Sequence, residues 1–201
     1  MLRKIALGAA MCALLAGCAE KYTLVPAAAT PVARNAMTVT PSVAWNRIPR
    51  SPSDIAEEEN WTANGPLLDT ISFVGGLADG RPVVKQRRRA SQQVPVFRGD
   101  MSPQDLVSML ESYHRIRDEV TLFETTGVQP TTFLGSPGTR FDYQYVGADQ
   151  LRRRGRAVMA IVEGRLYMIV LTAARSHYFD AALPELDRMT SGAERRVRRS
   201  S

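Results

Sequence analysis

The sequence predicts an α+β domain, an antiparallel sheet with a central helix and a C-terminal helix packed on it. Three observations predict it. A capped amphipathic segment, Ser102 to Arg117, stands in mid-chain. Behind it come strict apolar–polar alternation around Phe141, Tyr143 and Tyr145, and two apolar runs joined at Glu163-Gly164. The last patterned stretch, Tyr178 to Met189, returns to helical spacing. Strands, helix, antiparallel strands and closing helix, in that order, describe α+β rather than alternating α/β architecture.

Taken in order, Met37 to Ile48 (MTVTPSVAWNRI) is strand-like, with Trp45 as a large core anchor. Arg50 to Pro66 is a polar loop leading into a short strand near Trp61. Within it, Glu57-Glu58-Glu59 is expected to be a solvated run, because consecutive carboxylates in a loop point different ways. Leu67 to Leu77 alternates and breaks at Gly75-Gly76, and Asp79 to Asp100 opens on a turn and carries a mobile basic loop. The central helix has Ser102 as its cap, Pro103 in the first helical position and Asp105 in the first turn, where the helix dipole favours an anion. Leu106, Met109, Leu110 and Tyr113 then fall on one buried face.

Glu119 to Gly135 reads as extended chain. GTRFDYQYVG follows with Phe141, Tyr143 and Tyr145 on one face and Asp142 and Gln144 on the other, the period of a half-buried strand. GRAVMAIVEGRLYMIVLTA predicts two strands joined by a tight hairpin at Glu163-Gly164, apolar enough to be covered on both faces. The closing helix is expected to start at a Ser176 cap and to stop at Gly192. Tyr178, Phe179, Leu183, Leu186 and Met189 face inward, and Pro184 divides it into two short helices.

The N-terminus carries a different message. Arg3 and Lys4 precede an apolar run from Ile5 to Gly17, and polarity returns at Glu20 and Lys21. That run is well short of the ~20 residues a spanning helix needs, which describes an export signal. Leu15-Ala16-Gly17-Cys18 resembles the lipobox of bacterial lipoproteins. The resemblance implies cleavage between Gly17 and Cys18, acylation of the Cys18 thiol, and anchorage to a membrane through the lipid. Ala19 follows where an aspartate would mark inner-membrane retention, which implies the outer membrane of a Gram-negative cell, facing the periplasm. Residues 1–17 are then the signal peptide, 18–36 a flexible tether rich in Ala, Pro and Thr, 37–192 the domain, and 193–201 a basic tail. With Cys12 removed and Cys18 acylated, the mature body has no thiol for a disulfide, a thiolate metal site or a nucleophile.

Charge narrows the partners. The formal net charge is +6. Removing Arg3 and Lys4 leaves +4, and setting aside Arg195, Arg196, Arg198 and Arg199 of the tail leaves a neutral body. A broad nucleic-acid face is therefore not expected. Two local clusters, Lys85, Arg87, Arg88, Arg89 and Arg152, Arg153, Arg154, Arg156, fall in predicted loops and are candidate anion-binding groups, since arginine forks grip phosphate and carboxylate bidentately. His114 and His177 lack metal-ligand spacing, and no nucleophile elbow or phosphate-binding glycine motif occurs. No catalytic residue, metal or cofactor is expected.

The Pro41 to Trp45 turn after the opening strand, the central helix, and the hairpin RAVMAIVEGRLYMIVLTA running into YFDAALPELDRM together resemble PsbP-like proteins, which include bacterial lipoproteins. The resemblance implies a non-catalytic binding or envelope-assembly accessory, with the membrane, an envelope protein or an anionic envelope component as partner. Two alternatives stay open: a small hydrolase of envelope polymers, which needs a pocket with His114 or His177 beside carboxylates, and an electrostatic clamp built on the arginine tail.

Overall fold

The computed structural model describes residues 22–85, 93–174 and 177–196. Helix α1 (Pro103–Arg117) begins as its sequence dictates. The Ser102 side chain accepts from the Asp105 backbone N–H, and the Asp105 carboxylate accepts in return from the Ser102 N–H at 2.9 Å. This reciprocal capping satisfies donors that the first turn leaves open. Leu106, Met109, Leu110 and Tyr113 form the buried stripe, and His114 joins it.

Eight strands form one antiparallel sheet, in the order β1 (Thr23–Val25), β4 (Trp45–Arg47), β5 (Glu58–Thr62), β6 (Asp69–Ala78), β10 (Arg165–Ala174), β9 (Arg152–Val162), β8 (Ser136–Val146) and β7 (Leu122–Phe133). The central strands are covered on both faces, as their continuous apolar runs require. In β10, Leu166, Met168 and Val170 join the core beneath α1, while Tyr167, Ile169, Leu171 and Ala173 join the opposite core. The β9–β10 hairpin turns at Glu163 (φ 51°) and Gly164 (φ 69°). Positive φ at both central residues matches the twist of the strands they join. A second two-residue turn of this kind, Leu134 (φ 53°) and Gly135 (φ 74°), joins β7 to β8.

Helix α2 (Tyr178–Ser191) covers the other face through Phe179, Ala182, Leu186 and Met189. It runs unbroken through Pro184, where two short helices are expected from the sequence. Pro184 removes one bond to the preceding turn, but the buried residues on both sides of it hold the helix to the sheet, and packing outweighs the loss. Its N-cap is His177, without a side-chain cap bond; Ser176 lies outside the described residues. Gly192 is the C-cap, its N–H donating to the Arg188 carbonyl at 3.0 Å.

The expected boundaries shift at both ends. Residues 22–36, read as part of a tether, contain β1 and β2 (Thr30–Val32), and Val32 and Ala33 are fully buried. One valine at the end of each short strand, Val25 and Val32, is enough to reach the core, so low apolar content does not keep them out of it. At the other end β11 (Glu194–Arg195) pairs with β3 (Met37–Val39), and β3 with β2, giving a separate three-stranded sheet that takes the chain past residue 192. The signal segment, Gly17 and Cys18 lie outside the described residues. Among the described residues no helix is long and apolar enough to cross a membrane.

Candidate functional site

Beside α1, against the sheet, lies a cavity of about 450 Å³. Its apolar lining includes Ile48, Pro49, Leu67, Met168 and Val170; its polar lining includes Asp54, Asn60, Arg117, Asp118, Asp149 and Arg153. Two hydrogen-bonded networks, both rooted in the last turns of α1, build the polar side.

The first centres on His114, which is 3% exposed. Its Nδ1 lies 2.7 Å from Asp118 Oδ2 and its Nε2 lies 3.2 Å from the Tyr143 hydroxyl. An ionised carboxylate only accepts, so Nδ1 carries a proton, and in the neutral ring Nε2 accepts from Tyr143. The Tyr143 hydroxyl is in turn 2.6 Å from Thr172 Oγ1 and 3.3 Å from the Leu171 carbonyl. Tyr145 donates to Asp118 Oδ2 at 3.1 Å. Burial works against the Asp118 carboxylate, but the hydrogen bond and charge of His114, helped by Arg117 and Tyr145, outweigh it and hold its pKa below the usual carboxylate value. Burial likewise pushes both tyrosine hydroxyls far above theirs. The Tyr143 ring fits because Gly155 faces it across the strand pair; a Cβ there would lie 2.0 Å from Tyr143 Cζ.

The second network sits around Glu58. Arg117 Nη1 bonds the Glu58 Oε1 oxygen, donates to the Tyr113 hydroxyl at 2.7 Å, and lies 3.1 Å from Asp54 Oδ1. Tyr113 donates to Glu58 Oε1 at 2.9 Å and Asn60 Nδ2 does so at 3.1 Å. Burial, opposed by Arg117, raises the Glu58 pKa above the usual carboxylate value. Asp54, Glu58 and Asn60 are each at most 4% exposed. Asp54 Oδ1, Glu58 Oε2 and Asn60 Oδ1 are buried with no hydrogen-bond partner in the protein.

The expectation of a solvated Glu57-Glu58-Glu59 run is therefore overturned. Glu58 opens β5 and points into the core beneath α1. Glu59 accepts from Arg47 Nε at 2.7 Å, Trp61 Nε1 at 2.8 Å and the Ala33 N–H at 3.2 Å. Strand alternation sends the two side chains to opposite faces, and each finds its own donors.

The second arginine cluster is corrected in the same way. Arg152, Arg153, Arg154 and Arg156 lie in β9 rather than a loop, because residues 152–156 pair in register with β8 and residues 153–156 also with β10. Arg153 is paired with Asp149 at 2.6 Å, Arg156 with Asp142 at 2.6 Å, and Arg154 with Asp180 at 3.4 Å while lying 4.4 Å over the Phe179 ring. The hydrogen bond from Arg153 draws the Asp149 carboxyl down to about 2. Three of the four guanidiniums thus already hold carboxylates. Of the first cluster, Lys85 is exposed and its N–H donates to the Ser53 carbonyl, while Arg87, Arg88 and Arg89 lie outside the described residues. In the tail Arg195 pairs with Glu163 at 2.5 Å.

Histidine divides in the same manner. His114 enters the cavity wall with a carboxylate beside it, whereas His177 is exposed at the start of α2, on the other side of the sheet. Both nitrogens of His114 are engaged, by Asp118 and Tyr143. Among the described residues no three His, Cys, Asp or Glu side chains converge in a metal-holding group. The signal that marks this site is helical spacing: Tyr113–Arg117 and His114–Asp118 are both four residues apart, so each pair shares a face. Asp54 and Asn60 come from a distant loop and strand, with no local pattern to announce them.

No family model matches the sequence, and no curated protein matches it either. Solved structures do resemble it. Cyanobacterial PsbP (CyanoP) from Synechocystis sp. PCC 6803 superposes with a TM-score of 0.54 at 10% identity, covering 90% of this chain and 95% of that one. The Saccharomyces cerevisiae Ran-binding protein Mog1p does so with a TM-score of 0.51 at 8% identity, covering 88% and 96%. LpqN of Mycobacterium tuberculosis, involved in cell envelope biogenesis, gives 0.31 at 11% identity, covering 89% and 86%. The first two carry the comparison. A large antiparallel sheet between two helices, in this chain order, is the PsbP-like α+β fold.

Proposed function

We propose that this chain is a lipid-anchored, non-catalytic binding module of the cell envelope, and that the cavity beside α1 is where it takes its ligand or a side chain of its partner. The observation that carries the reading is the cavity's composition: an apolar lining next to buried polar atoms with open hydrogen-bond capacity. A volume of about 450 Å³ falls in the range of small-ligand sites, and the lining sets apolar side chains beside polar and charged groups that can fix a ligand's orientation. The His114 network favours binding over turnover. A general base needs a nitrogen free to reach substrate, and here Nε2 is capped by Tyr143. The lipobox resemblance supports anchorage through Cys18 at the outer membrane, facing the periplasm.

Filling the cavity tests the reading. Thr70 is half-buried in its lining, and Thr70→Trp should abolish capture of whatever copurifies with the wild-type chain from intact, crosslinked envelopes, with thermal stability kept. Undiminished capture by the filled variant would sink it. Mass spectrometry of the native protein should find the diacylglyceryl group on Cys18 and no residue before it.

A second reading, hydrolysis of an envelope polymer, is favoured by one observation, the His114–Asp118 pair in a cavity wall. It requires His114→Gln to abolish turnover of a peptidoglycan or lipid substrate, and it fails if the wild-type chain shows no turnover.

A further inference from the structure

Accepting that the cavity is the binding site, we infer that its Asp54–Asn60 end binds a primary ammonium group, carried on an alkyl chain by a small amine or by a partner's lysine side chain. The open valences there are all acceptors. Asn60, 4% exposed, has its amide orientation fixed because Nδ2 donates to Glu58 Oε1 at 3.1 Å. Its Oδ1 therefore remains, buried and without a partner, in a residue that lines the cavity. Asp54, 2% exposed, spends Oδ2 on the Ser51 N–H at 2.7 Å. Its Oδ1 lies 3.1 Å from Arg117 Nη1 but makes no hydrogen bond. Behind them Glu58 Oε2 is also unpartnered. An all-acceptor cluster is completed by a donor.

Charge selects among donors. With both carboxylates ionised, Asp54 and Glu58 share the single guanidinium of Arg117, which leaves one formal negative charge in a buried place. One monovalent cation neutralises it, whereas a divalent ion would overshoot beside Arg117. Geometry then separates ammonium from guanidinium. A guanidinium fork is matched by both oxygens of one carboxylate, and here neither carboxylate has both oxygens open. Three N–H bonds from one nitrogen suit acceptors contributed singly by different residues. The apolar lining from Leu67, Met168 and Val170 has room for the alkyl chain.

The test is an amide NMR titration of the full chain in detergent with n-butylammonium, n-butanol, butyrate and tetramethylammonium. Butylammonium should perturb Asp54, Asn60 and Tyr113 saturably and bind at least tenfold more tightly than the neutral, anionic and N–H-free probes. Asp54→Asn should weaken it about tenfold. Leu67 is 65% exposed at the rim, so Leu67→Lys should weaken butylammonium at least threefold and Leu67→Glu strengthen it, with the fold untouched. A blocked Gly-Lys-Gly peptide identifies the source: tighter binding than butylammonium assigns a partner lysine, weaker binding a free amine. If butanol enters the cavity as well as butylammonium does, a water suffices for the buried acceptors; the ammonium assignment falls and the binding site stands. If no probe reaches the cavity, both fall.

Discussion

The face of the sheet beneath α2 is closed by apolar side chains: Trp61 and Phe73 meet edge to face at 4.6 Å, and Phe179, Leu186 and Met189 of the helix close over them. The face beneath α1 is built from the same strands but keeps a cavity, and its nearest helical turns carry Tyr113, His114 and Arg117 instead of more leucine. One face is closed by packing; the other pairs most of its buried polar groups with each other and leaves Asp54 Oδ1, Glu58 Oε2 and Asn60 Oδ1 open beside the cavity. The contrast separates the face that holds the sheet together from the face where the proposed binding site lies. Buried polar networks cost more to assemble than apolar contacts of equal size, and their concentration beside the cavity is what the proposed binding site rests on.

Perturbing each face should produce distinct responses. The largest effect belongs to the dry face: Trp61→Ala, at a fully buried ring that also donates to Glu59, should cost about 3–5 kcal/mol in chemical denaturation. On the wet face, Gly155→Ala places a methyl inside the Tyr143 ring and should cost about 1–3 kcal/mol. Its diagnostic readout is the His114 ring signals, which shift as the Tyr143 hydroxyl moves; unchanged signals would contradict the described contact. Ser102→Ala removes the α1 cap and should cost about 1 kcal/mol, loosening the cavity while the α2 face keeps its hydrogen-exchange protection.

The finest distinction is one of slope. Glu58 has a folded pKa above 4.5, so its favourable contribution is complete below that value and is lost as pH rises through the folded pKa. Asp118 is shifted the other way, and its contribution is present above 3.8 and lost as pH falls through its folded pKa. Thermal melts of Glu58→Gln against pH should therefore lose only the decline on the alkaline side. A parallel displacement of the whole curve would contradict the burial of Glu58.

The α2 face was more legible in the sequence than the α1 face. Its strands announce themselves by continuous apolar runs, and Phe179, Leu186 and Met189 repeat at helical spacing. Period and capping also marked α1 down to its first residue. Pro184 misled because propensity is local, while the helix that contains it is held by contacts on both sides. The three consecutive glutamates misled for a related reason: whether a carboxylate is solvated depends on donors such as Arg117 and Arg47, which are distant in sequence or on another strand. The first two strands, each of three residues, were too short to leave any period at all.

The pairing of β11 with β3 sets an order of events. One of the first ordered segments to be synthesised waits, with an open edge, for nearly the last, and Arg196 then donates to the Ala36 carbonyl at 3.0 Å to finish the clasp. A chain emerging from the ribosome N-terminus first cannot complete this small sheet until residues 194–196 have been made.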